Sequence, residues 1–328
     1  MARSVAALSC ALALQACIAV AAIPVAAGAS IGRKAVRKAP EKRQPQAGGR
    51  LILLPPGTKM PAPTDAPAPR PDAPAQSGVT AGMQYLYGSG EAAALSIQAW
   101  RALIRHVAGK VLERPKESVV LAPGATLAKP VWETCGRKPM AVVLDIDETV
   151  VLNLGLQSRL ATGAALTPDQ RAQWDREGGD KVVAVPGAAG AVEALRTMGV
   201  EVVFIGDRPK STAGAAAAMI AAVGLGEAVP DKTLFLAEEG ETARDPRRAA
   251  IASLYCVLAI AGDQLGDFTD LFDAGQGPAV RRAETLFAPV NARLGAGWFL
   301  LPNPVHGTGL RGGVDDVFPQ DMRWTPAP

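Results

Sequence analysis

Two short acidic strings hold the residues whose types and spacing could do chemistry. Asp145, Asp147 and Thr149 fall within DIDETVVLN (145–153), directly after the apolar run Ala141–Leu144. Asp263 and Asp267 fall within GDQLGDF (262–268), directly after a second apolar run, Val257–Ala261. Side chains alternate along an extended chain, so residues i and i+2 face the same side, and Asp145 and Asp147 can both look into one crevice. If the two runs are neighbouring parallel strands, Asp263 arrives beside them. Three carboxylates in a dry crevice need a cation, and a hard, oxygen-liganded ion such as Mg²⁺ is the expected one. Either string alone is compatible with a solvated loop. Their shared position at the end of an apolar run favours a metal–carboxylate centre.

The elements that must position these residues follow from periodicity. Trp100, Leu103, Ile104, Val107 and Val111 recur at helical spacing, which predicts an amphipathic helix over Glu91–Leu112. Strands are expected at Ala141–Leu144, Glu201–Ile205, Leu234–Leu236 and Val257–Ala261. Helices are expected at Ala188–Met198, from a cap at Ser211 to Gly224, and over Arg247–Leu254. Strands alternating with helices imply an α/β fold, a parallel sheet flanked by helices with its ligand site at the carboxyl ends of the strands. Residues 153–186 are too many for a plain connection and predict a small cap insertion.

Composition bounds the alternatives. The chain has 328 residues, 48% hydrophobic and 20% charged, which fits a globular protein. Four cysteines are too few for a disulfide-stapled scaffold. Residues 30–80 hold nine Lys/Arg against three Asp/Glu, whereas 81–328 hold 24 against 28. The basicity therefore belongs to a tail, and no nucleic-acid partner is expected. Glycine patterns in useful context are absent, so no dinucleotide site is expected either.

The chain resembles the haloacid-dehalogenase (HAD) superfamily. Within it the likeness is to the class B/C acid phosphatases, the group of bacterial outer-membrane lipoprotein phosphatases and plant vegetative storage proteins. Besides the two acidic strings, MQYLYGSGEAAALSIQAW (83–100), VPGAAGAVEALRTMGVEVVFIGDRP (185–209) and WFLLPNPVHGTG (298–309) are similar to segments of that family. The likeness spans roughly 83–310. It implies a HAD-like, Rossmann-type domain over 81–328 with an N-terminal helical addition. It also implies Mg²⁺-dependent hydrolysis of a small phosphorylated substrate, by family analogy a 5′-nucleotide. By the same resemblance Asp145 is the nucleophile and Asp147 the general acid and base. The carboxylates of Asp145 and Asp263 and the carbonyl of Asp147 hold the metal. Asp267 orients a metal-bound water or a basic neighbour.

The family's phosphate-binding positions fall on Gly206, Asp207, Arg208 and Arg244, with two departures. Gly206 stands where the family has a Ser or Thr hydroxyl, and Asp207-Arg208 matches its Asn-Arg pair only at the arginine. Aligning GETARDPRR (240–248) puts Arg244 where the family has a lysine. Arg keeps the charge but is larger and planar. The alternative to an active phosphatase is a weakened or non-catalytic HAD-fold protein that binds a phosphorylated ligand in the cell envelope. Lys210 is a further source of positive charge. Tyr87 and Trp174 are candidates to touch a substrate's organic part, while His106 and His306 read as structural. Cys135 and Cys256 flank neighbouring strands and can pair or remain free thiols.

The first eighty residues predict export. An apolar stretch, 5–29, follows Arg3 and ends in Ala27-Gly28-Ala29, as in a secretory signal peptide. Leu14-Gln15-Ala16-Cys17 is similar to a lipobox, which would lipidate Cys17 and tether the protein to a membrane. The stretch is also long enough to remain as an inner-membrane anchor, and the cluster from Arg33 to Arg43 resists translocation. The expected location is periplasmic or outer-membrane-associated. Residues 30–80, with ten prolines, read as a basic linker that cannot bury a core.

Overall fold

Strands buried on both faces read as unbroken apolar runs, and two such runs form the centre of the computed structural model, which describes residues 78–275 and 277–327. The signal or anchor segment, the linker up to residue 77 and Cys17 lie outside the described residues. From the N-terminus, α1 (Ala81–Met83) passes through a π-helical turn (Gln84–Gly88) into α2 (Gly90–Glu113). A small antiparallel pair, β1 (Glu117–Leu121) and β2 (Trp132–Thr134), precedes the first central strand, β3 (Met140–Asp145). The segment after the first acidic string contains β4 (Val151–Leu152), α3 (Leu154–Leu160), α4 (Pro168–Glu177) and β5 (Val183–Ala184). Next come α5 (Ala188–Thr197), β6 (Glu201–Pro209), α6 (Ala213–Ala222), β7 (Leu234–Ala237), α7 (Asp245–Leu254) and β8 (Cys256–Gly262). The chain ends through α8 (Pro278–Phe287), β9 (Trp298–Leu300) and α9 (Val314–Val317).

Five strands make one parallel sheet in the order β7-β6-β3-β8-β9. β3 is central and β8 its neighbour, so both acidic strings leave the sheet at the same end. Asp145 pairs in register with Ile205, and Leu144 with Ala261. On one face Val142, Leu144, Val202 and Phe204 pack against Trp100, Leu103 and Val107 of α2, Leu195 of α5 and Ile220 of α6. On the other face Val143, Val203, Ile205 and Ile260 meet Ile251 of α7 and a cluster around Trp298. The Trp298 ring stacks on Phe268 at 5.2 Å, and its Nε1 donates to Val119 O at 2.9 Å. That bond satisfies the one polar atom the buried indole carries.

Local signals account for most boundaries. Ser89 accepts from Ala92 N at 3.1 Å and starts α2. Of the five residues expected on its inner face, Trp100, Leu103 and Val107 are buried, while Ile104 and Val111 are half-buried. Two expectations need correction. β6 runs four residues beyond Ile205, to Pro209, so Gly206, Asp207 and Arg208 lie in the strand and not after it. Ser211 does not cap a helix. A 3-10 turn over Lys210–Thr212 follows the longer strand, α6 starts at Ala213, and the Thr212 hydroxyl donates back to Pro209 O at 2.8 Å. Between residues 153 and 186, two short helices are closed at the base by the antiparallel pairing of β4 with β5. Among the described residues no helix is long and apolar enough to cross a membrane.

Candidate active site

β3 delivers Asp145 into the crevice with only 3% of its surface exposed. The chain then turns tightly: Val150 N and Val151 N both donate to Ile146 O, and Glu148 takes a left-handed φ of 59°. Across that turn the charge of Asp147 still acts on Asp145. Asp147 leaves toward β6, where Arg208 donates to it from Nη2 (2.6 Å) and Nε (3.2 Å). Asn153 Nδ2 adds a third bond at 2.9 Å. Burial opposes the charge on Asp147, but Arg208 and Asn153 outweigh it and hold the carboxyl below its ordinary value.

β8 supplies the opposing group. Carboxylate oxygens of Asp145, Asp263 and Asp267 all lie within 4.8 Å of one another, and all three residues are buried. Thr149 Oγ1 bridges the strings, 3.0 Å from Asp145 Oδ2 and 3.1 Å from Asp263 Oδ1. Asn303 Nδ2 donates to Asp263 Oδ2 at 2.6 Å, and Gln264 Nε2 to the same oxygen at 3.0 Å. Asp267 comes this close because residue 262 is a glycine. A Cβ there would lie 2.3 Å from Asp267 Cβ and Oδ2. Asp267, expected to orient a metal-bound water or a basic neighbour, does accept from Arg244 and also lies within reach of Asp145 and Asp263.

One guanidinium faces this cluster. Arg244, at the start of α7, donates from Nη1 to Asp267 Oδ1 and, at 3.3 Å, to Asp145 Oδ1. Its charge does not compensate the group. Burial, with the neighbouring carboxylates, lifts the Asp145 carboxyl well above its usual range and Asp267 to about 7. Oxygen donors, burial and surplus negative charge together fit a hard divalent cation.

The positions expected to bind phosphate lie along β6 and at the start of α7. Gly206 offers its backbone, and its carbonyl accepts from Arg247 Nη1. The Asp207 carboxylate is committed to two arginines, Arg244 and Arg247. Arg208 is buried on Asp147 and Asn153. Lys210 pairs instead with Asp231 and Glu238. Trp174 packs on Gly155 and Gly178. His106 lies between Leu258 O and the Phe299 ring, in the fold and not in the site.

Sequence reasoning missed Glu148. It is 3% exposed and accepts from Tyr87 Oη (3.1 Å) and from Asn153 N and Nδ2 (both 3.2 Å), and it lies 3.2 Å from His306 Nε2. One carboxylate thus ties the N-terminal helical segment, the first acidic string and the C-terminal segment together. Its hydrogen bond raises the proton affinity of His306. Beside it opens a cavity of about 310 Å³ lined by Tyr87, Ser89, Ser96, Glu148 and Leu152. A slightly larger cavity, about 350 Å³, lies near the amino end of β8 by His106 and Arg293, away from the carboxylates.

Residues 97–309 match the family described as HAD superfamily, subfamily IIIB (Acid phosphatase). No curated protein matches the sequence. Solved structures similar in fold include the class C acid phosphatase from Bacillus anthracis and the same enzyme with tungstate bound. Each has 21% identity and a TM-score of 0.57, and the likeness covers 70% of this chain and 84% of the other.

Proposed function

We infer that this chain, which belongs to the acid phosphatases of HAD superfamily subfamily IIIB, hydrolyses phosphomonoesters through a covalent phosphate on Asp145. The observation that carries this reading is the convergence of Asp145, Asp263 and Asp267 from two distant strings around one small volume. Mg²⁺ would be held by the carboxylates of Asp145 and Asp263 and the carbonyl of Asp147, with Asp267 within the same reach. Bound there, the cation neutralises phosphoryl oxygens so that an anionic nucleophile can approach an anionic substrate.

The chain's own groups do the rest. An Asp145 oxygen attacks phosphorus, the bond to the ester oxygen breaks, and Asp147 gives that oxygen a proton. Water then attacks the same phosphorus, Asp147 takes its proton, and Asp145 departs as a carboxylate. Arg208 keeps Asp147 ionised at rest; the charge of an arriving phosphate raises its proton affinity, and the proton that Asp147 then takes from solvent or from the phosphomonoester monoanion is the one it passes to the ester oxygen. Arg244 holds positive charge beside the position of the transferring group, the kind of electrostatic placement that dominates phosphoryl transfer.

The cavity beside Tyr87 and Glu148 suits an organic leaving group, and a 5′-nucleotide is the substrate class the family resemblance favours. Export is supported by the disulfide between Cys135 and Cys256, since such bonds persist in oxidising compartments. The periplasm or outer membrane, with residues 1–29 as signal or anchor and 30–80 as linker, is therefore the proposed location. One observation favours the weaker alternative of a phosphate-ester binder without turnover: Gly206 brings no hydroxyl to the site.

Turnover of p-nitrophenyl phosphate across pH 4–9, with Mg²⁺ and with EDTA, tests the reading. Activity is expected with Mg²⁺, should vanish in EDTA, and should fall at least roughly 1,000-fold in Asp145→Asn. Folded wild-type protein without turnover would leave only the binding alternative.

A further inference from the structure

Two of the departures from the family pattern, Asp207 and Arg244, lie on different elements, yet the structure joins them. Arg244 Nε donates to Asp207 Oδ1 at 2.8 Å and Nη2 donates to Asp207 Oδ2, a fork-on-fork pair. The other edge of the same guanidinium carries Nη1, which serves Asp145 and Asp267. We propose that Asp207 is a positioning residue for Arg244, and that the two are a matched replacement in which each requires the other.

Donor geometry gives the reason. An ammonium is a compact charge that can turn freely toward the nucleophile, whereas a guanidinium is planar and presents fixed edges. To aim one edge at Asp145, the opposite edge must be held. A carboxylate accepts Nε and Nη2 together, whereas an asparagine has one acceptor oxygen and an amide that repels the second donor. Asp207 is itself fixed from another side, because Arg247 donates to its Oδ1 at 2.9 Å and to the Gly206 carbonyl of the same strand. Of the five N–H groups of Arg244, four are engaged by Asp207, Asp145 and Asp267. The fifth, on Nη2, is left for a phosphoryl oxygen. Asp207 alone would place an unwelcome negative charge near the phosphate. Paired with Arg244, it converts a bulky cation into an oriented one.

This inference rests on the phosphatase reading for its kinetic consequence, but not for its geometry. Four proteins test it: wild type, Asp207→Asn, Arg244→Lys and the double variant. Each single variant is expected to lose roughly tenfold or more in kcat for p-nitrophenyl phosphate, with a smaller change in KM. The double variant, which restores the Asn–Lys pattern, is expected to return to within about threefold of wild type. A double variant whose loss equals the product of the single losses would overturn the pairing. So would Asp207→Asn within about twofold of wild type. Should wild type itself show no turnover, the phosphatase reading fails, and the pairing is read from the Arg244 Nε–H resonance by NMR. That signal, identified by its loss in Arg244→Lys, is expected to shift and exchange faster in Asp207→Asn. An unchanged signal would overturn the inference.

Discussion

Placing a hydroxyl at residue 206, where the family carries one, should cost stability before it helps catalysis, and Ile146 is the reason. A Cβ built on Gly206 lies 2.9 Å from Ile146 Cδ1, 3.4 Å from Cγ1 and 3.5 Å from Cβ. Ile146 is fully buried and cannot swing into solvent. Crowding a packed site of this kind costs about 1–3 kcal/mol. Serine recovers about 0.5–1 kcal/mol, because it has less chain entropy to lose than glycine. Gly206→Ser should therefore lose about 0–2.5 kcal/mol, centred on ~1 kcal/mol, or a Tm drop of roughly 3 °C for a domain of this size. Ile146→Val removes the offending Cδ1 and alone costs about 1 kcal/mol. The double variant should be at least ~1 kcal/mol more stable than the sum of the single losses, the signature of a shared contact. Its hydroxyl, bonded to a phosphoryl oxygen, should raise kcat/KM by roughly 10- to 100-fold over Ile146→Val. Urea melts and p-nitrophenyl phosphate kinetics on the three variants measure both effects. Additive stabilities would show that Ile146 is not what excludes a side chain at 206.

Other consequences follow from the charges and the crosslink. Asp145 and Asp267 carry raised carboxyl pKa values, so their contribution to stability is present below about pH 4 and is lost as pH rises through their folded values. In chelator, Tm should fall between pH 4 and pH 7 or above, and Mg²⁺ should restore it more at pH 7.5 than at pH 5. Asp267→Asn should flatten the curve. A flat profile for wild type in chelator would refute this. Asp147 acts in the opposite sense, its contribution being lost only in acid, as pH falls through its lowered value. The Cys135–Cys256 bond closes a separation of 121 residues, which chain entropy values at about 4.9 kcal/mol. Cys256→Ser should cost about 3–5 kcal/mol in urea melts, and dithiothreitol should do the same to wild type. Glu148→Gln keeps an acceptor oxygen for Tyr87 but removes the negative charge that faces His306. The His306 titration followed by NMR should move down from its raised position toward the ordinary value near 6.5.

The carboxylates were legible in the sequence because each string ends an apolar run, and β3 and β8 are neighbours as those runs required. The sheet was legible for the same reason. Less visible was what lies between Asp147 and Val151. A left-handed residue at Glu148 breaks the two-residue alternation, so a buried carboxylate read as one more polar loop residue. Asn303 and His306 act through contacts with residues far away in sequence, for which no local spacing exists. The extent of β6 was missed because Asp207 and Arg208 are poor strand formers by composition. Their charges are satisfied sideways, by Arg244, Arg247 and Asp147, and this lets the strand continue.

The long reach from Glu148 to His306 also sets an order of arrival. These partners are 158 residues apart, and Asn303 reaches back 40 residues to Asp263. On the proposed export route, a chain threaded through a pore with its amino end first would emerge with its acidic strings long before the groups that brace them. Bracing of the crevice therefore waits for the last stretch, and a protein cut short before Asn303 would carry Asp263 without Asn303 and Glu148 without His306. Catalytic competence would then be a property of the finished, delivered molecule and not of the one in transit.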